Sequence, residues 1–259
     1  MHEGNAGSDV FSSCYFVSFV GDGVMSIPEN IGKVRGRIRT AAVRSGRDPR
    51  EITLMAVSKT FPAERIREAY EAGVRDFGEN RVQEFAGKAE ALRDLSDARW
   101  HMIGHLQSNK AGRAAELFHA VDSVDSLKLA EKLNEAAGGA GKKLSVLIEV
   151  NVGGEAAKSG VAPDSPELEQ LLSGISRFDS LEVSGLMTIP PFFDDSEAAR
   201  PYFRKLRELR DRIATRNLTE IGMTVLSMGM SHDFEIAIEE GSTCVRVGTA
   251  IFGERARKT

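Results

Sequence analysis

Cysteine is scarce in this sequence: 259 residues carry two, Cys14 and Cys244. Two thiols cannot build a disulfide framework, so the composition suits a reducing, cytosolic compartment better than secretion. Long apolar runs are missing as well, and no stretch reaches the length of a membrane-spanning helix. The nearest, residues 11–20, is broken by Ser12, Ser13, Cys14 and Ser18, and Asp9 stands where a signal peptide would carry Lys or Arg. An excess of positive charge is absent too. The formal net charge is -4, which gives no global attraction for nucleic acid or an anionic membrane. There is no Walker-type phosphate loop, no zinc-binding His-Glu-x-x-His and no Cys-x-x-Cys pair. Gly21-Asp22-Gly23 lacks the third glycine of a dinucleotide fingerprint.

What is present is a regular alternation. Residues 1–24 show no periodicity and are expected to be a disordered tail, with the folded domain running over 25–259. At its start Ser26 can cap a helix, Pro28 suits the first turn and Glu29 completes a capping box. Ile31, Val34, Ile38 and Ala42 then recur at helical spacing. Short apolar runs come next at 52–57, 75–77, 100–103, 120–124, 145–150, 181–187, 224–228 and 244–247. Helical patterns lie between them, among them 62–72, 82–95, 126–137, 166–175, 197–213 and 233–240. Eight strands separated by helices imply parallel pairing through right-handed crossovers. The count and the length predict an α/β fold, a single (β/α)8 TIM-type barrel; an open doubly wound sheet is the competing architecture. Residues 138–141 and 190–195 are assigned to loops.

In such a barrel, functional groups gather at the C-terminal ends of the strands. Lys59 closes the first strand, on the face of Met55 and Val57. A lysine following an apolar strand is partly desolvated, which frees its amine for imine formation, although an ordinary snorkelling lysine fits the same position. Asn80 closes the second strand, as a ring-orienting amide or as a turn residue. His101 and Gly104 flank the third, His101 being a candidate base or a structural histidine. Ser227-Met228-Gly229-Met230-Ser231 runs into a helix near Asp233, and the last strand runs into Gly248-Thr249. Small and hydroxylated residues at these two places offer amides to a phosphate, and serve equally as caps and tight turns. Arg246 alternates with Val245 and Val247, so it should point into the barrel, where a buried guanidinium requires a carboxylate or a ligand acceptor.

Ordered together, these segments carry a resemblance. Ala56-Val57-Ser58-Lys59-Thr60, Phe77-Gly78-Glu79-Asn80 and Trp100-His101-Met102-Ile103-Gly104-His105-Leu106-Gln107-Ser108-Asn109-Lys110 come first. Lys158-Ser159-Gly160, Gly185-Leu186-Met187-Thr188, Leu226 to Ser231 and Arg246 to Gly253 come after them. The set resembles the pyridoxal-phosphate homeostasis protein family from about Met25 to Phe252. The resemblance implies the barrel of the alanine racemase type without the additional β domain, and pyridoxal 5'-phosphate (PLP) as cofactor. It implies Lys59 as the Schiff-base lysine, and Ser227, Gly229, Ser231, Gly248 and Thr249 as phosphate contacts within the cofactor segments, which also include Met230. Arg246 is implied at the pyridine nitrogen, with Asn80 and Met187 lining the ring. His105 departs from the pattern, which often has proline there.

The implied role is homeostasis of free PLP and of amino and keto acids, without efficient turnover. A cationic arginine at the pyridine nitrogen disfavours ring protonation and weakens the ring as an electron sink. A second base is also lacking from the expected mouth, since the tyrosines Tyr15, Tyr70 and Tyr202 fall in the tail and in helices. PLP-dependent apoenzymes are the implied partners, a monomer is the expected state, and Lys158 is a second amine near the mouth. The rival readings are a PLP-dependent racemase or decarboxylase, and a phosphosugar enzyme using Lys59.

Overall fold

The computed structural model describes residues 25–155, 158–216, 218 and 221–254. The expected tail of 1–24, with Cys14 and Tyr15, lies outside the described residues. The chain enters through helix α1 (Ile27–Arg44), which has the capping box read from Ser26 and Glu29. Its apolar stripe of Ile27, Ile31, Val34, Ile38, Ala41 and Ala42 is buried.

Eight parallel strands then close a barrel in sequence order. They are β1 (Thr53–Val57), β2 (Asp76–Glu79), β3 (Arg99–Met102), β4 (Ala120–Val124), β5 (Leu144–Glu149), β6 (Leu181–Met187), β7 (Ile221–Ser227) and β8 (Cys244–Val247). Register across the closing seam pairs Leu54 with Val245 and Met55 with Arg246. The connecting helices are α2 (Ala63–Glu71), α3 (Val82–Ala89), α4 (Ala111–Leu117), α5 (Leu127–Gly139), α6 (Pro166–Ile175), α7 (Arg200–Ala214) and α8 (Phe234–Glu239), followed by the short α9 (Thr249–Phe252). The open doubly wound alternative is therefore excluded.

Alternation along each strand divides the core. Outward residues such as Ala56, Phe77, Val245 and Val247 join the large layer between strands and helices. An aromatic chain of Phe77, Trp100, Phe85 and Phe118 stiffens it, with centroid spacings of 5.1, 4.7 and 5.0 Å. Inside, Met55, Ile103 and Cys244 form a small apolar cluster. Polar groups occupy the lower barrel: His101 lies 3.3 Å from Asp76 and 3.2 Å from Asp122, and Arg99 clasps Asp76 at 2.6 and 2.7 Å.

Some boundaries differ from expectation. The run 52–57 is strand only to Val57, so Lys59 stands in a turn beyond β1. The helix expected over 82–95 gives way to a 3-10 turn at Glu90–Leu92, and β7 starts at Ile221, three residues early. Helix α4 is not among the expected patterns; its Ala/Gly-rich sequence has no strong apolar periodicity, and Ala111, Ala114 and Ala115 are buried by their neighbours.

Candidate functional site

A cavity of about 270 Å³ opens at the C-terminal mouth of the barrel. It lies at the usual position for a ligand site in this architecture. Lys59, Asn80, Met230, Ser231, Arg246, Gly248 and Thr249 line it. Met187, Ser227 and Gly229, the other three candidates, do not; Met187 and Ser227 are fully buried.

Arg246 forms the inner wall. It is 3% exposed, and its two hydrogen-bond acceptors are neutral: Ser227 Oγ and the Thr188 carbonyl, each at 2.7 Å. Burial pulls its pKa down, while Cys244, Asp122, Glu149 and Asp233 act on it through space to raise it. Among the described residues, the carboxylate that the sequence allowed as its partner is thus not in contact. Ser227, one of the expected phosphate contacts, has its hydroxyl committed to the guanidinium.

The segment after β7 turns sharply at Gly229, whose φ of 93° suits glycine. A Cβ there would sit 2.6 Å from Ala237 Cβ and 2.8 Å from Phe234 Cα, so helix α8 packs directly onto the turn. Asp233 accepts the Met230 N–H at 2.6 Å; burial raises its pKa, with that bond and Arg246 opposing. Ser231 Oγ accepts the amides of Gly248 and Ala250 at 3.3 and 3.4 Å, which ties the two donor-rich segments together.

Below the mouth, Glu149 ends β5 at 6% exposure, with no hydrogen-bond partner for Oε2 among the described residues. Burial, and then the charge of Asp125, push its pKa up to about 7. His101 is not at the mouth: it lies deeper, and the cavity does not include it. Burial alone would depress its imidazole; the charge and bond of Asp122, with those of Asp76, win and raise it to about 9. His101 is therefore a structural cation here rather than a base at the mouth. Lys158 pairs with Glu155 at 2.7 Å and donates to the Pro190 carbonyl at 3.2 Å. His105 is exposed and 3.4 Å from Asp125.

Reading strand ends overlooked the outer rim. Ile189, Pro191, Phe192 and Phe193 line one side and Phe61 the other. Phe192 is 74% exposed and packs on His232, which also lines the cavity and reaches the Asp194 carbonyl at 3.1 Å. Two prolines followed by two phenylalanines in a loop were the available signal, because exposed apolar residues at a loop tip call for an explanation. Among the described residues the tyrosines stand away from the cavity wall: Tyr70 bonds Asp97, and Tyr202 stacks behind Phe193 at 5.6 Å.

Known proteins share this barrel and its sequence. Residues 31–256 match the family described as alanine racemase, N-terminal domain. A pyridoxal phosphate homeostasis protein from Aquifex aeolicus is 47% identical over 231 residues, which is 89% of this chain and 99% of that one. Its counterpart in Pseudomonas aeruginosa is 49% identical over 230 residues, covering 89% of this chain and 96% of the relative. The chain belongs to the pyridoxal phosphate homeostasis protein family. Among solved structures of similar sequence, PipY of Synechococcus elongatus with PLP bound superposes with a TM-score of 0.77 at 38% identity. That match covers 88% of this chain and all of PipY. An alanine racemase from Clostridium difficile shares only the fold, at 15% identity and a TM-score of 0.67. The match covers 89% of this chain but 61% of the racemase. The match thus spans nearly all of these homeostasis proteins and PipY but only part of the racemase.

Proposed function

We propose that this protein binds PLP in the cavity at the barrel mouth, holds it as a Schiff base on Lys59, and serves homeostasis of free PLP and of amino and keto acids. The observation that carries the proposal is that Lys59 and the buried, neutrally partnered Arg246 share one cavity with the Ser231, Gly248 and Thr249 segments. These residues fit the group. Lys59 would supply an amine to the aldehyde, Arg246 meets only neutral acceptors among the described residues, and hydroxyls and backbone amides would receive the phosphate.

When bound, PLP supplies an aldehyde that condenses reversibly with amines and a ring that draws electrons from the attached carbon. The protein's own residues restrain that chemistry. Arg246, fixed by Ser227 and Thr188, would present a cation to the ring nitrogen and so oppose its protonation. Asn80 would line the ring from the cavity wall beside Met230, with Met187 and Gly229 buried behind that wall. Ile189, Phe192 and Phe61 give the cavity an apolar rim. His232 is the one imidazole on the cavity wall among the described residues, and its bond to Asp194 restrains it as a second base. The protein accordingly shelters and releases PLP without efficient turnover, acts as a monomer in the cytoplasm, and hands PLP to apoenzymes that need it.

Three measurements test this. Protein supplied with PLP should turn yellow, gain the mass of one reduced PLP after borohydride, and carry the label on the peptide containing Lys59. A colourless protein refutes the binding proposal, and an unchanged adduct in Lys59→Ala refutes Lys59 as the Schiff-base lysine. Rapid racemisation of single-enantiomer amino acids at substoichiometric protein would instead establish an enzyme.

A further inference from the structure

The turn that carries Lys59 is gripped from one side by helix α3. Thr60 has φ 70°, a left-handed conformation that a β-branched residue adopts only against a steric cost. Three bonds from two α3 side chains hold it there. Glu84 accepts the Thr60 N–H. Lys88 Nζ donates to the Ser58 carbonyl at 3.3 Å and to the Phe61 carbonyl at 3.2 Å, the two carbonyls that bracket Lys59 and Thr60.

The ammonium is itself fixed. It lies 2.8 Å from Glu79 Oε1 and 3.7 Å from Glu84, at 13% side-chain exposure. Glu79 is fully buried, and the same oxygen accepts the Ser58 hydroxyl at 2.6 Å. A carboxylate at the end of β2, a lysine on α3 and the backbone on both sides of Lys59 therefore form one closed network. A buried ion pair is weak evidence for stability, since desolvation offsets much of its attraction. Its geometric effect is specific: it fixes two carbonyls of a strained turn.

We propose that Lys88 is a positioning residue for Lys59, clamping the 58–61 turn so that the reactive amine stands against the phosphate-side segments before the cofactor arrives. This rests on the reading of Lys59 as the Schiff-base lysine. In the assisted step a deprotonated Lys59 Nζ adds to the aldehyde carbon. A C=N bond forms, and the aldehyde oxygen leaves as water with two protons, both from the amine. Lys88 touches none of the reacting atoms; it shortens the search of Nζ for its attack position.

The test uses Lys88→Met combined with Glu79→Gln, so that no buried carboxylate loses its partner, and the introduced amide oxygen still accepts the Ser58 hydroxyl. Pyridoxine 5'-phosphate, which bears an alcohol in place of the aldehyde, reports binding without condensation. The double variant should bind it within about twofold of the parent while condensing with PLP on the order of ten- to a hundredfold more slowly. Hydrogen exchange at the Thr60 amide in PLP-free protein should accelerate at least tenfold (about a tenfold change marks loss of one anchoring bond). Glu84→Gln, whose amide oxygen still accepts the Thr60 N–H, should exchange like the parent, and Glu84→Ala should not. Equal condensation rates with unchanged exchange overturn the clamp, as does an equal loss of binding and condensation. If the parent itself forms no adduct, the Lys59 reading fails, and exchange at Thr60 still decides for or against the clamp.

Discussion

Arg246 donates to the hydroxyl of Ser227 across the β7–β8 seam at 2.7 Å, and both side chains are buried. The hydroxyl and the Thr188 carbonyl together determine where the guanidinium points. Removing the hydroxyl leaves a buried cation with one neutral acceptor. Ser227→Ala should therefore lose about 1.5–3 kcal/mol of stability, the worth of a hydrogen bond to a charged group, as measured by urea unfolding. Affinity for PLP should fall with it, because the cation that faces the ring has lost its alignment. Unchanged stability with weakened phosphate-ester binding would instead place Ser227 at the phosphate.

His101 makes stability depend on pH. Its pKa is raised from 6.5 to about 9 in the folded protein. A raised histidine stabilises fully below the unfolded value and loses that contribution as pH climbs through the folded one. Unfolding free energy should therefore decline between about pH 6.5 and 9, by at most about 3 kcal/mol from this group. In His101→Gln the decline over that window should shrink, with lower stability at pH 6 than the parent.

Glu149 adds a second slope of the same sign. Its carboxyl is raised from 4.5 to about 7, so the folded state favours the protonated form. Its contribution is complete below the unfolded pKa and disappears as pH rises through 7. Glu149→Gln should gain up to about 3 kcal/mol over the parent at pH 8 and little at pH 4. Chemical denaturation at the two pH values measures both ends.

Two glycines of the site should respond differently to a methyl group. Gly229→Ala meets a strained φ and contacts of 2.6 and 2.8 Å from helix α8, so it should destabilise by more than about 2 kcal/mol. Gly248→Ala has an ordinary φ and its nearest neighbour, Val57, at 3.5 Å, so stability should hold within about 0.5 kcal/mol. Because Gly248 lines the cavity, its methyl should instead weaken PLP binding, seen by titration of the visible band.

The barrel was legible because eight short apolar runs recur between helical patterns, and 120–124, 181–187 and 244–247 agree with β4, β6 and β8 residue for residue. Alternation alone placed Arg246 inside and Val245 and Val247 outside. Its partners were not legible. Ser227 ends β7 and Thr188 follows β6, and no local pattern records which hydroxyl or carbonyl meets which guanidinium. The choice between base and structural histidine for His101 was open in sequence for a related reason: its partners Asp76 and Asp122 lie on two other strands. Lys88 reads as one charge on an amphipathic helix, because its role appears only when α3 packs beside the 58–61 turn. The rim at 189–193 reads as a connection with an unexplained pair of phenylalanines, and the sequence does not record that they line the mouth.

The charged group of Asp76, Arg99, His101 and Asp122 occupies the lower barrel, away from the mouth. If PLP is held in this cavity as proposed, it enters and leaves past Phe61 and Phe192, and a recipient protein would either wait for diffusion or press its own entrance against the exposed Phe192.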